Sequence, residues 1–242
     1  MRLEYDHFTD KGGRPINEDF ADMVSKPDAC CFVLCDGLGG HGMGDKASQF
    51  VVRFVKDYFL SCSSTEAFIA DVIERTQSAL HAKQEELALD GKMKTTGVIL
   101  VLEQGKATCL HVGDSRLYQF RGDSIVFRTR DHSIPQMLVL TGEITENDIR
   151  RHPDRNKVLR AFGDDHDPLK FDKTQLSVAV GDTFLLCTDG FWEPVTEEER
   201  VDKMRKTKSV KKWLAEMAAA ARNNSNEKSM DNFTAVAVRI KG

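Results

Sequence analysis

The sequence predicts an α+β fold, with helices packed on antiparallel sheet, and three observations predict it. Two amphipathic helical stretches follow one another between about Asp45 and Asp90, so no β-α-β unit closes around the first apolar strand. Four short apolar runs between Thr96 and Phe127 are joined by tight turns, which makes an antiparallel meander rather than a doubly wound sheet. The C-terminal part then returns to strand, helix and strand.

Taken in order, Leu3–Thr9 is a first strand and Lys11-Gly12-Gly13 a turn. Ala29–Cys35 is continuously apolar, as a buried strand is. Ala47, Phe50, Val51, Phe54, Val55 and Tyr58 keep the three-four spacing of a helix. Ser63-Ser64-Thr65-Glu66 reads as a capping box for a second helix, with Ile69, Val72, Ile73, Thr76, Leu80 and Leu87 inward and a stop near Asp90-Gly91. The meander comprises Thr96–Leu102, Lys106–Val112, Leu117–Phe120 and Ser124–Phe127. Residues 130–163 are polar and broken by Pro135, Gly142 and Pro153. They form an excursion with two short helices, near Ser133–Leu140 and Thr145–Arg151, and its basic residues are expected to be solvated. Lys173–Val180 and Thr183–Cys187 are strands, Thr196 caps a helix, and Val210–Arg222 is a helix with Trp213, Leu214, Met217 and Ala221 inward. Phe233–Ile240 is the last strand. No linker or low-complexity tract interrupts the 242 residues, so one domain, 1–242, is expected.

Composition narrows the function. Hydrophobic residues at 40% and charged residues at 30% are ordinary for a globular chain. A net charge of -4 leaves no basic excess for general nucleic-acid binding. No apolar run spans a bilayer, and the polar N-terminus does not read as a signal peptide. The six cysteines form no C-x-x-C pair and sit mostly in apolar runs, as reduced buried thiols of a cytoplasmic protein would.

The informative stretch is Cys31–Ser48, CFVLCDGLGGHGMGDKAS. An apolar strand delivers Asp36-Gly37 to a glycine-dense loop that leads into a helix. Phe184–Gly190 repeats the device, ending in Asp189-Gly190. Asp-Gly is also a hairpin-turn signal, but neither copy is followed by a second strand. Glu18, Asp19, Asp114 and Asp231 also fall at strand ends or beside them. Carboxylates gathered at one sheet edge repel one another unless cations lie between them. An all-oxygen, thiol-free set selects Mg²⁺ or Mn²⁺ over zinc. The rival reading is a dinucleotide loop, since Gly37-Leu-Gly39-Gly40-His41-Gly42 matches G-x-G-x-x-G. Asp36 would repel a pyrophosphate, and the missing β-α-β unit counts against it.

With these pieces in place the chain resembles the metal-dependent Ser/Thr protein phosphatases of the 2C type in their bacterial form. The resemblance rests on Arg14–Asp19 (RPINED), Leu34–Ser48, Thr95–Gly97 (TTG), His111–Tyr118 (HVGDSRLY), Thr129–His132 (TRDH), Leu186–Gly190 (LCTDG) and Asp231–Thr234 (DNFT), in the family's order. It implies a four-layer α-β-β-α sandwich of two antiparallel sheets flanked by helices, with a variable flap at about 133–163. It implies hydrolysis of phosphoserine and phosphothreonine by direct attack of a water held between two Mn²⁺ or Mg²⁺ ions. Arg14, Asp36, Asp189 and Asp231 would be the catalytic set. Asp36 would bridge the metals, the Gly37 carbonyl would hold the second, and Asp189 and Asp231 the first. Glu18 and Asp19 would hold metal-bound waters, Asp114 would join Asp189 at a third, weaker site, and Arg14 would grip the phosphate.

Leu38 stands where many eukaryotic members carry a histidine as leaving-group acid; nearby His41 is a candidate proton donor, although a structural place in the glycine loop is the favoured reading of it. His111 and His132 are expected to satisfy local hydrogen bonds, and Asp114 reads as well as a turn residue. Phosphorylated proteins are the implied partners, a Ser/Thr kinase or a phosphorylated regulator among them, and a monomer is expected. A catalytically silent phosphoprotein-binding relative is the alternative from another class, with the dinucleotide-binding oxidoreductase behind it.

Overall fold

The structure is a computed structural model that describes residues 2–89, 91–165, 168–226 and 228–242, with His41 described by its backbone alone. In chain order the elements are β1 (Arg2–Asp10), β2 (Asp19–Ser25), β3 (Ala29–Asp36), α1 (Gly44–Ser61), α2 (Thr65–Glu86), β4 (Gly97–Glu103), β5 (Lys106–Val112), β6 (Arg116–Arg121) and β7 (Ser124–Arg128). There follow α3 (Ile134–Thr141), β8 (Asp172–Ser177), β9 (Thr183–Cys187), α4 (Asp189–Trp192), α5 (Glu197–Lys206), α6 (Val210–Asn224) and β10 (Phe233–Lys241). Short 3₁₀ turns occupy Gly39–His41 and Glu146–Arg151.

The strands form two five-stranded sheets, ordered β1-β10-β9-β6-β7 and β2-β3-β4-β5-β8, and every paired neighbour is antiparallel. Alternation along the central strands explains their continuous apolar character. In β3, Phe32 and Leu34 face the other sheet, whereas Cys31, Val33 and Cys35 face α1 and α2. In β9, Phe184 and Leu186 join the inter-sheet core, and Leu185 and Cys187 pack with Trp213 and Met217 of α6. Both faces are buried, so both must be apolar. The result is the four-layer sandwich that the resemblance implied. With no β-α-β unit among the described residues, the dinucleotide reading loses its scaffold.

Several local expectations are corrected. β2 was not predicted: apart from buried Asp19 it is half-buried or exposed, because it is an edge strand with little apolar pattern to read. α2 is capped by Ser64, whose side chain accepts the Ala67 amide at 3.1 Å, rather than by a box from Ser63. α2 ends at Glu86, where the chain turns through a left-handed Ala88 (φ 52°). Leu87 lies beyond the helix and is 45% exposed, not inward. The predicted stop at Asp90 lies outside the described residues. Phe50, Phe54 and Tyr58 are only half-buried and stack along the outer face of α1. The box at Thr196 and Glu199 is formed in both directions. The second predicted short helix, near Thr145–Arg151, is present as a capped 3₁₀ helix over Glu146–Arg151.

All six cysteines are free thiols, and burial pushes those of Cys31, Cys35, Cys109 and Cys187 up. No helix among the described residues is long and apolar enough to cross a membrane.

Candidate active site

Antiparallel register gathers the acidic residues. β3 ends at Asp36, and its neighbour β2 begins at Asp19, directly opposite. β9 runs into Thr188 and Asp189, while Asp231 leads into β10, whose Ala235 pairs with Cys187 of β9. β1 ends at Asp10, opposite Phe233, and the chain then turns back to bring Arg14 to the same edge. β5 ends at Val112, two residues before Asp114. Arg14, Glu18, Asp36, Gly37, Asp114, Asp189 and Asp231 therefore line one cleft of about 860 Å³. Of the predicted site residues, Asp19 sits behind this cleft, buried, and the side chain of His41 lies outside the described residues.

Backbone positions are fixed by side chains of the same motifs. The Asp36 amide donates to Thr96 Oγ1 (3.1 Å), and Thr95 Oγ1 and the Thr96 amide donate to the Asp36 carbonyl (2.7 and 2.8 Å). Asn232 is a clamp that sequence reasoning did not assign. Its Oδ1 accepts the Glu18 amide at 2.8 Å, and its Nδ2 donates to the carbonyls of Lys11 and Ile16, both at 2.9 Å. Its place inside the DNFT motif was the available signal. Gly37 is required sterically: a Cβ there would lie 2.2 Å from the Gly44 carbonyl oxygen. At Gly39 a Cβ would lie 2.0 Å from Glu18 Oε2, so the loop closes over the Glu18 carboxylate only without a side chain.

Electrostatics identify the strain in the cluster. Burial, followed by the charges of Asp19, Asp189, Asp114 and Asp231, pushes the Asp36 carboxyl far above its ordinary value. Burial raises Asp19 to about 8, against the lowering effect of the neighbouring Thr234 and Thr188 hydroxyls. Burial and Asp231 raise Asp189 to about 6, and burial with Asp189 raises Asp114 strongly. Asp19 Oδ2 accepts from Thr188 Oγ1 at 2.9 Å, but Oδ1 is buried with no hydrogen-bond partner among the described residues. An orphaned carboxylate oxygen behind a ring of oxygen donors fits hard cations and the waters around them. Arg14 Nη2 donates to Asp231 Oδ2 at 2.7 Å on the rim.

A second layer locks the loop that carries Asp114. Trp192 Nε1 donates to the Asp114 carbonyl at 3.0 Å, and the Trp192 ring lies 3.4 Å from the Arg116 guanidinium. Arg116, 1% exposed, makes a two-point bond to Asp131 at 2.8 and 2.7 Å. Arg150 corrects the expectation that the basic residues of 150–160 are solvated. Its side chain is largely buried and donates to the Trp192, Glu193 (2.9 Å) and Val195 (3.2 Å) carbonyls and to Glu197. His111 Nε2 donates to the Arg130 carbonyl (2.9 Å), and His132 Nδ1 accepts the Gly113 amide (3.2 Å), so both histidines do serve local hydrogen bonds. His132 Nε2 must then carry the ring proton, which leaves no lone pair there for a metal, although Asp172 lies near.

Known proteins resemble the chain in sequence and in fold. The chain is 31% identical to a serine/threonine phosphatase, stp, of Listeria welshimeri over 240 residues, covering 96% of this chain and 90% of that one. Its structure superposes on Stp1 from Staphylococcus aureus with a TM-score of 0.91 at 30% identity, covering 100% of this chain and 96% of that one. It also superposes on the catalytic domain of PstP in complex with two manganese ions, with a TM-score of 0.82 at 25% identity and 99% of each chain covered. Residues 11–234 match the Protein phosphatase 2C family. Two antiparallel sheets, a carboxylate centre at their common edge and these matches give one answer: the chain belongs to the protein phosphatase 2C family.

Proposed function

We propose that this phosphatase hydrolyses phosphoserine and phosphothreonine side chains of proteins at the carboxylate centre, with Mn²⁺ or Mg²⁺ held by Asp36, the Gly37 carbonyl, Asp189 and Asp231. The observation that carries the reading is the buried carboxylate cluster, whose mutual repulsion and orphaned Asp19 oxygen call for cations. Two such ions, when bound, supply Lewis acidity toward the phosphoryl oxygens and lower the pKa of a water for in-line attack.

The chain's own residues do the rest. Asp36, at the end of β3 and opposite Asp19, would bridge the pair. Glu18 and Asp19 would orient water around it, and Asp114 would join Asp189 at a third ion. Arg14 stands at the rim with its side chain 53% exposed. Its bond to Asp231 is an exposed ion pair worth about 0–1 kcal/mol, readily exchanged for a phosphate. The planar guanidinium then meets two phosphoryl oxygens and stabilises charge that develops there. The shape of the cleft, open and lined by Gly37, Gly39 and Gly40, admits a side chain carried on a polypeptide.

Release of phosphate from an aryl phosphate and from a phosphothreonine peptide tests the reading. Activity should require Mn²⁺ or Mg²⁺ and vanish with chelator. Turnover that persists after chelation, or in Asp36→Asn, would refute it.

A further inference from the structure

We infer that a second cleft beside the centre is an anion-accepting subsite that favours substrates with an acidic residue flanking the phosphorylated one. The inference rests on the phosphatase reading above and adds a substrate preference to it.

The second cleft, about 670 Å³, runs from the centre between the Glu146–Arg151 turn and the C-terminal end of α6. Arg14, Asn156, Asp189 and Asp231 line both clefts, so the two are continuous. A peptide whose phosphorylated side chain reaches the carboxylates has a direct path for its neighbouring residues into this space.

The charge of that space is not that of the whole chain. The net charge of the protein is -4, yet on the wall of the second cleft Arg14, Arg150, Arg151 and Arg155 match Asp189, Glu193, Glu199 and Asp231 in number. Its acidic groups are largely engaged. Asp189 and Asp231 belong to the centre. Glu199 Oε2 accepts the Thr196 amide at 2.9 Å as part of a helix cap. Glu193 Oε2 accepts from Arg155 Nε at 3.2 Å. Arg150 is held by the carbonyls around Trp192 and by Glu197, which anchors the turn from below. The next residue, Arg151, is exposed on the anchored turn, and among the described residues no carboxylate lies within ion-pair distance of it. An arginine on a fixed turn, facing a cleft that leads from the reacting phosphate, suits a carboxylate on the substrate. Arg155, 41% exposed, can exchange Glu193 for the same group.

Two phosphothreonine peptides of equal length, one with aspartate and one with lysine beside the phosphothreonine, provide the test. Each kcat/KM is divided by that for an aryl phosphate, which has no chain to reach the second cleft. The aspartate peptide should be favoured about two- to fivefold at low salt, the range an exposed ion pair supplies. The difference should appear in KM, shrink as salt rises, survive in Arg151→Lys and reverse in Arg151→Glu. Equal values for the two peptides in the unmodified protein, or an acidic preference that persists in Arg151→Glu, would overturn the subsite. The salt series needs no variant, so a misfolded substitution does not blunt the test. Aryl phosphate turnover without a peptide preference would remove only the subsite. Failure to turn over any of the three substrates in Mn²⁺ would instead remove the phosphatase reading.

Discussion

Asp36 is where folding and function pull against each other. Its backbone is fixed by Thr95 and Thr96, and its carboxyl is held among four other acids. Removing that charge should relieve the metal-free protein. Asp36→Asn is expected to raise the melting temperature in chelator, by about 2–4 °C for each kcal/mol of repulsion removed. The same change should lower phosphatase activity in Mn²⁺ by more than about 100-fold, beyond the loss typical of residues that only support a ligand. Differential scanning calorimetry and phosphate release check the two halves. Arg14→Ala should reduce kcat by about 10²–10³-fold, as loss of one transition-state donor does, with a smaller effect on metal affinity. At Gly39 the contact is with a side chain. Gly39→Ala should therefore shift Glu18 and weaken Mn²⁺ binding while the protein stays folded.

Elements transmit these positions. β3 ends at Asp36 and β9 ends two residues before Asp189; both are central strands with two apolar faces, which was legible as an apolar run leading into Asp-Gly. β2 was not legible, since an edge strand with half-buried residues carries no strong period. The roles of Trp192, Arg116 and Arg150 were hidden for a different reason. Their partners are backbone carbonyls and acids 15, 43 and 78 residues away, and local pattern does not encode such pairs. Arg116 and Asp131 show what this layer is worth. Both side chains are 1% exposed, so Asp131→Ala leaves a buried guanidinium without its two-point acceptor. It should destabilise the protein by about 3–5 kcal/mol, read by urea unfolding. Trp192→Phe keeps most of the packing but loses the bond to the Asp114 carbonyl. It should disturb activity more than stability.

At the scale of the whole molecule, the sandwich stores charge at one edge, and pH reports how much. Burial raises Asp19 to about 8 and Asp189 to about 6, both above the ordinary range near 4. Across that interval the metal-free folded state binds more protons than the unfolded chain. Its stability should therefore fall as pH rises from about 4 to 8. Mn²⁺ binds the deprotonated groups, so the gain in melting temperature on adding Mn²⁺ should grow over the same interval. The order of layers came from the family resemblance, with which the helix pair and the meander agreed, but the convergence of Arg14, Glu18 and Asp231 on one edge is set by the strand register, which no single segment contains. Calorimetric titration of Mn²⁺ into chelator-stripped protein at pH 7.5 tests the central claim most directly. At least two ions per chain should bind, with proton release, and Asp36→Asn should lose the tight phase. No binding above that of exposed carboxylates, or identical isotherms for the two proteins, would contradict it.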